Sequence, residues 1–76
     1  MSNLAKRRLN PRKLLLSKWT ASRPQNRERH FLVTKLLRDE QEQIVAVELQ
    51  AVLTGRNEQI DWRLLLDSER WQQGWR

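Results

Sequence analysis

With 76 residues the chain has room for one domain and one small core. It has no cysteine, which excludes a disulfide framework and a thiolate zinc site, and no apolar run approaches the roughly 18 residues needed to cross a bilayer. The net charge of +6 is unevenly spread. Residues 1–29 carry nine Lys or Arg against Glu28 alone, a net +8, and residues 30–76 carry six basic against eight acidic residues, a net −2. A nearly balanced body therefore bears a cationic N-terminal third, which attracts polyanions such as RNA or DNA or else serves as a solvated tail. The basic N-terminus is followed by no long apolar segment, so it does not read as a secretory signal. A cysteine-free chain of this kind is expected to be soluble and cytoplasmic.

In chain order, residues 1–10 are polar, basic and terminal, and read as a disordered tail ahead of a single domain over 11–76. Asn10-Pro11 has the form of a helix start, Asn as cap and Pro in the first position. The next residues fit either a helical turn or two over Arg12 to Ser17 or a strand over Leu14 to Thr20, and the pattern does not separate them. Residues 21–29, with Ser22, Arg23-Pro24, Gln25 and Asn26, read as a polar loop. Phe31 to Leu37 is rich in strand formers, with Phe31, Val33 and Leu37 on one face and Lys35 as the exception. Asp39 to Glu42 is a charged connection of hairpin length. Ile44 to Thr54 alternates with period two, Val45, Val47, Leu49, Ala51 and Leu53 pointing one way. Gly55 or Asn57 supplies a positive φ for the next turn. Ile60, Trp62, Leu64 and Leu66 share a face in a further strand, whose last half also fits the start of a short helix. Asp67-Ser68 predicts an N-cap for a final helical turn over Glu69 to Gln73, ended by Gly74.

These elements predict a strand-dominated α+β domain. Its core is a small antiparallel sheet of three to four strands with short terminal helical turns, closed as an SH3-like barrel or covered by one helix.

The string Lys13 to Ala21 (KLLLSKWTA), Pro24, His30 to Thr34 (HFLVT) and Leu49 to Thr54 (LQAVLT) with Arg56 has a distinctive look. It continues with Ile60 to Arg63 (IDWR), Leu65, Asp67 and Trp71 to Trp75 (WQQGW). Together these residues, covering roughly 10–76, resemble a family of small tryptophan-rich bacterial proteins classed as a domain of unknown function. The resemblance implies a bacterial, stand-alone domain. It implies no activity, cofactor or site residue.

Four tryptophans stand out in a chain with one Phe and no Tyr. Trp62 and Trp71 are expected to fill the core, Trp71 packing from the final helix, since Trp is the largest filler available. Trp19 and Trp75 sit beside Lys18 and Arg76 in less regular segments, and are the candidates for exposed stacking. A base stacked on Trp with phosphates on neighbouring cations is how single strands are held without sequence preference. The candidate nucleic-acid set is therefore Lys13, Lys18, Trp19, Arg23, Arg27 and Arg29, with Arg12 in support. The alternative is a protein-interaction module or accessory subunit that docks an unidentified protein through an exposed Trp patch or a sheet edge. No enzyme is expected. His30 is the lone histidine, with only Glu28 near it as a second metal ligand. The glycines Gly55 and Gly74 make no phosphate-cradling loop, and Asp61 with Arg63 and Asp67 with Arg70 read as caps and surface ion pairs. No cofactor or metal is expected.

Overall fold

The computed structural model describes residues 7–76. Asn10 caps a 3-10 turn at Pro11–Lys13, its side chain accepting from the Arg12 N–H. The chain then enters five strands: β1 Lys18–Gln25, β2 Glu28–Arg38, β3 Ile44–Ala51, β4 Asn57–Asp61 and β5 Trp71–Gln73. A second 3-10 turn, Trp62–Leu66, joins β4 to β5. All neighbouring pairs are antiparallel and the order is β4-β3-β2-β1-β5, so β5 returns to the free side of β1. The sheet is open, with β4 and β5 as its edges, and has five strands where three to four were expected.

The β2–β3 hairpin matches its sequence pattern most closely. Asp39 turns the connection by accepting from the Gln41 and Gln43 N–H groups. Lys35 was the exception on the apolar face of β2, and a bulge explains it. Val33 pairs with Leu49 but Lys35 pairs with Glu48, so Thr34 is the extra residue. One extra residue reverses the faces beyond it. Lys35 is thereby exposed, and Leu36 rather than Leu37 packs on the core. At the far end β3 stops at Ala51, and Gly55 (φ 76) donates back to the Ala51 carbonyl. Leu53, expected on the buried face, lies in that turn and is exposed.

Two other expectations are corrected, and one open alternative is decided. The polar loop over 21–29 is instead the end of β1, a two-residue turn and the start of β2. Asn26 (φ 56) and Arg27 (φ 63) both take the left-handed conformation that a tight hairpin requires, without the usual glycine. Over 60–66 the strand ends at Asp61 and the remainder takes the short-helix alternative, a 3-10 turn that the Asp61 side chain caps through the Arg63 N–H. The final helical turn is strand β5. Asp67 does cap there, accepting from the Glu69 N–H, but Thr20 and Gln72 then pair across β1 and β5.

The core lies on one face of the sheet: Trp19, Phe31, Val33, Val47, Leu49 and Ala51, closed by Leu14 and by Leu65 of the second 3-10 turn. Trp19 is 1% exposed, and burying a ring of its size is worth roughly 4–6 kcal/mol. Its indole N–H donates to Ser17 Oγ at 2.8 Å. Trp62 and Trp71 are partly buried at the rim of this cluster, Trp71 meeting Phe31 edge-on at 5.3 Å from β5 rather than from a helix. The expected tail over 1–10 lies, for residues 1–6, outside the described residues. Of the remainder, Leu9 packs on the core, and Arg7 donates to the Leu65 and Trp71 carbonyls.

Candidate nucleic-acid interface

Side chains alternate across a strand, so Lys18 and Thr20 point away from the face that takes Trp19. Lys18 pairs with Leu32 and Thr20 with His30, which puts these four on the outer face of the sheet. The C-terminal residues fold over that face. Gly74 (φ 82) turns the chain as β5 ends, its carbonyl accepting from Thr20 Oγ1, which in turn accepts the Arg76 N–H. Trp75 is thereby laid across the diagonal pair Lys18 and His30. Its ring centroid lies 4.8 Å from Lys18 Nζ and 5.9 Å from the His30 ring. Its indole N–H donates to the Phe31 carbonyl at 3.0 Å, and His30 Nε2 is 3.0 Å from the Arg76 carbonyl. The ring remains 43% exposed.

Two hollows hold the residues that Trp75 contacts. The larger, about 440 Å³, is lined by Arg8, Lys13, Lys18, Leu14, Leu16 and the edge of Trp19 among others. Leu16 takes a left-handed conformation (φ 65) with its side chain exposed there, a strained arrangement that costs an ordinary residue of the order of 1 kcal/mol. The smaller, about 260 Å³, is lined by Arg27, Arg29, His30, Val52 and Leu53. Lys18 lines the first hollow and His30 the second, so Trp75 contacts one residue of each. Among the described residues, neither lining contains a carboxylate.

The six residues singled out from the sequence are thus divided. Lys13, Lys18, Arg27 and Arg29 line these two hollows and are exposed, and with Trp75 they make up the outer track. Arg23 lies elsewhere, in a separate hollow of about 430 Å³ with Glu58, Arg70 and Trp71. Trp19 cannot offer a stacking face, because its ring is inside the core. The exposed aromatic is Trp75, and Arg8 and His30 join the track without having been in the set. Arg12, named in support, is exposed within the first 3-10 turn.

Glu28, Glu58, Asp61 and Asp67 are engaged in ion pairs. Glu28, buried at 4% exposure, takes Arg56 through both carboxylate oxygens at 2.6–3.0 Å and accepts from Thr54 Oγ1. These hydrogen bonds, from Arg56 first and then Thr54, hold its pKa below the usual carboxylate value, and the same pairing raises that of Arg56. Asp61 is lowered to about 2 by the Arg63 side chain and then by the Arg63 N–H. Asp67 lies 3.8 Å from Arg70, so the expected caps and surface pairs are present. Burial lowers the Arg7 pKa, with Asp67 acting against it. Among the described residues no three His, Asp or Glu side chains are grouped to hold a metal ion, and no helix is long and apolar enough to cross a membrane.

No curated protein and no solved structure matches the chain. A family described as tryptophan-rich protein (DUF2389), of unknown function, matches residues 17–76. The match includes all four tryptophans and most of the outer track, and the chain belongs to that family.

Proposed function

We propose that the protein is a non-catalytic binding module that holds RNA or single-stranded DNA across the outer face of β1 and β2. One observation carries the reading: an exposed tryptophan contacts Lys18 and His30, which line two hollows whose charged residues are all basic. A base stacks on the free side of Trp75, and the strand runs from Arg8, Lys13 and Lys18 on one side to Arg27 and Arg29 on the other. Stacking of this kind tolerates any base, so the module reads strandedness rather than sequence. The strand order, with a 3-10 turn ahead of β5 and β5 beside β1, is the ground for proposing an SH3-like arrangement of this open sheet. A bacterial, cytoplasmic setting belongs to the same proposal.

A second reading, docking of a protein partner, draws on the exposed Leu16 and Leu53 at the two ends of this face. Salt separates the two. Phosphate contacts release counterions and weaken steeply with ionic strength, whereas docking of apolar side chains changes little. The test is a titration of labelled single-stranded RNA and DNA with nucleic-acid-free protein, at low and moderate salt, following tryptophan fluorescence. Saturable quenching that fades with salt supports the nucleic-acid reading. No binding at low salt rules it out and leaves the protein partner.

A further inference from the structure

The larger hollow has a wall that does not belong to the sheet. Arg8, Leu9 and Asn10 form it, and Asn10 also caps the 3-10 turn that carries Lys13. What ties this segment down is Arg7. Its guanidinium forks between two carbonyls, Leu65 at 2.5 Å and Trp71 at 2.7 Å, 58 and 64 residues away in the chain. It also lies 5.4 Å from the Trp19 ring. A planar fork with five N–H groups fits two divergent carbonyls, and a lysine ammonium does not. The Trp71 carbonyl lies on the strand at the edge of the sheet, so Arg7 bridges the last strand and the second 3-10 turn. Arg7 itself does not line the hollow.

Resting on the nucleic-acid reading, we propose that Arg7 is a latch: its docking builds the wall of the Lys13–Lys18 hollow, and strand binding and docking reinforce each other. The coupling is a matter of linkage. A strand whose phosphates need Arg8 and Lys13 in place binds the docked state better, and so draws the equilibrium toward it. Arg7 is therefore a positioning residue, whose charge is spent on carbonyls inside the protein and not on phosphate.

The test compares the full chain with Arg7→Ala and Arg7→Lys for binding of a labelled oligouridylate across a salt series, with amide hydrogen exchange on the free and bound proteins. The latch predicts roughly tenfold weaker binding for both variants, with the salt slope unchanged. It also predicts lost amide protection over residues 9–14 in the free variants, with β2 and β3 still protected, and added protection over 9–14 when wild type binds. Substitution of Arg8 is the contrast, lowering the slope by about one ion. Unchanged affinity in a folded Arg7→Ala protein overturns the latch. So does full rescue by lysine, or a slope reduced by one, either of which makes Arg7 an ordinary phosphate contact. If wild type itself fails to bind, the nucleic-acid reading has failed, a result distinct from wild type and variants binding alike.

Discussion

Trp19 and Trp75 occupy opposite faces of the same two strands, and each has Lys18 as a close neighbour, one in sequence and one in space. In the sequence Lys18-Trp19 looks like an aromatic with its cation attached. Within a strand, adjacency has the reverse effect: the two side chains leave on opposite faces, Trp19 into the core and Lys18 to solvent. The cation that meets an exposed ring is still Lys18, but the ring is Trp75, delivered from the far end of the chain by the turn at Gly74. The inner face is sealed by apolar packing, and the outer face is half covered by a C-terminal segment held through hydrogen bonds to Thr20 and Phe31. One face stabilises the domain and the other is left with charge and an aromatic surface.

That contrast is open to four tests, taken from the largest effect down. Trp19→Ala should remove about 3–5 kcal/mol of stability. A domain of this size has about 4–11 kcal/mol in total, so urea unfolding should show a protein barely folded or unfolded. A Trp19→Ala protein as stable as wild type breaks the assignment of the inner face. In the second test, binding of single strands by Trp75→Ala should fall about 5- to 150-fold with the fold intact, the loss of one stacked base. Unchanged affinity removes Trp75 from the interface.

The third test concerns the Glu28–Arg56 pair, which fixes the β1–β2 hairpin end to the turn before β4. The folded protein holds the Glu28 pKa below its unfolded value. Its contribution to stability is therefore complete above the unfolded pKa, near 4.3, and is lost as pH falls through the folded one. Asp61, at about 2, adds the same sign over the lower part of that range. Glu28→Gln should melt below wild type at neutral pH, the gap narrowing as the solution is acidified below about pH 4. A gap independent of pH contradicts the pairing as its source. The smallest effect is reserved for Arg23→Ala, which should leave strand affinity and its salt dependence unchanged, because Arg23 lies off the track with Glu58 and Trp71. A loss comparable to that of Lys18→Ala would place the interface on the wrong side.

How far the sequence foretold this is a matter of pattern length. The β2–β3 hairpin was legible because period two persists across it, and even Lys35 marked where the bulge would fall. The β1–β2 hairpin was hidden by its turn: Asn26-Arg27 takes left-handed geometry with no glycine to advertise it. Arg23-Pro24 also reads as a loop, and Pro is tolerated there because β5 pairs only with Trp19 to Ala21. At three residues β5 is too short to show a period, and the Asp67 cap before it points equally well to a helix. In the candidate site the charges were legible as a block, and four of the five lysines and arginines in the set fall on the outer track. Which tryptophan they surround was not, since it depends on a pairing between β1 and β5 that spans most of the chain.

The four indole N–H groups offer the most direct measurement, because each reports a different place in the fold. A two-dimensional proton–nitrogen spectrum should be followed while an unlabelled single-stranded oligonucleotide is added at low salt. The outer-face account predicts that the Trp75 indole signal moves together with the amides of Lys13, Lys18, Arg29 and His30, while the Trp19 indole stays in place. Movement centred on Trp71 and Arg23 with Trp75 unmoved, or no movement at all, would contradict it.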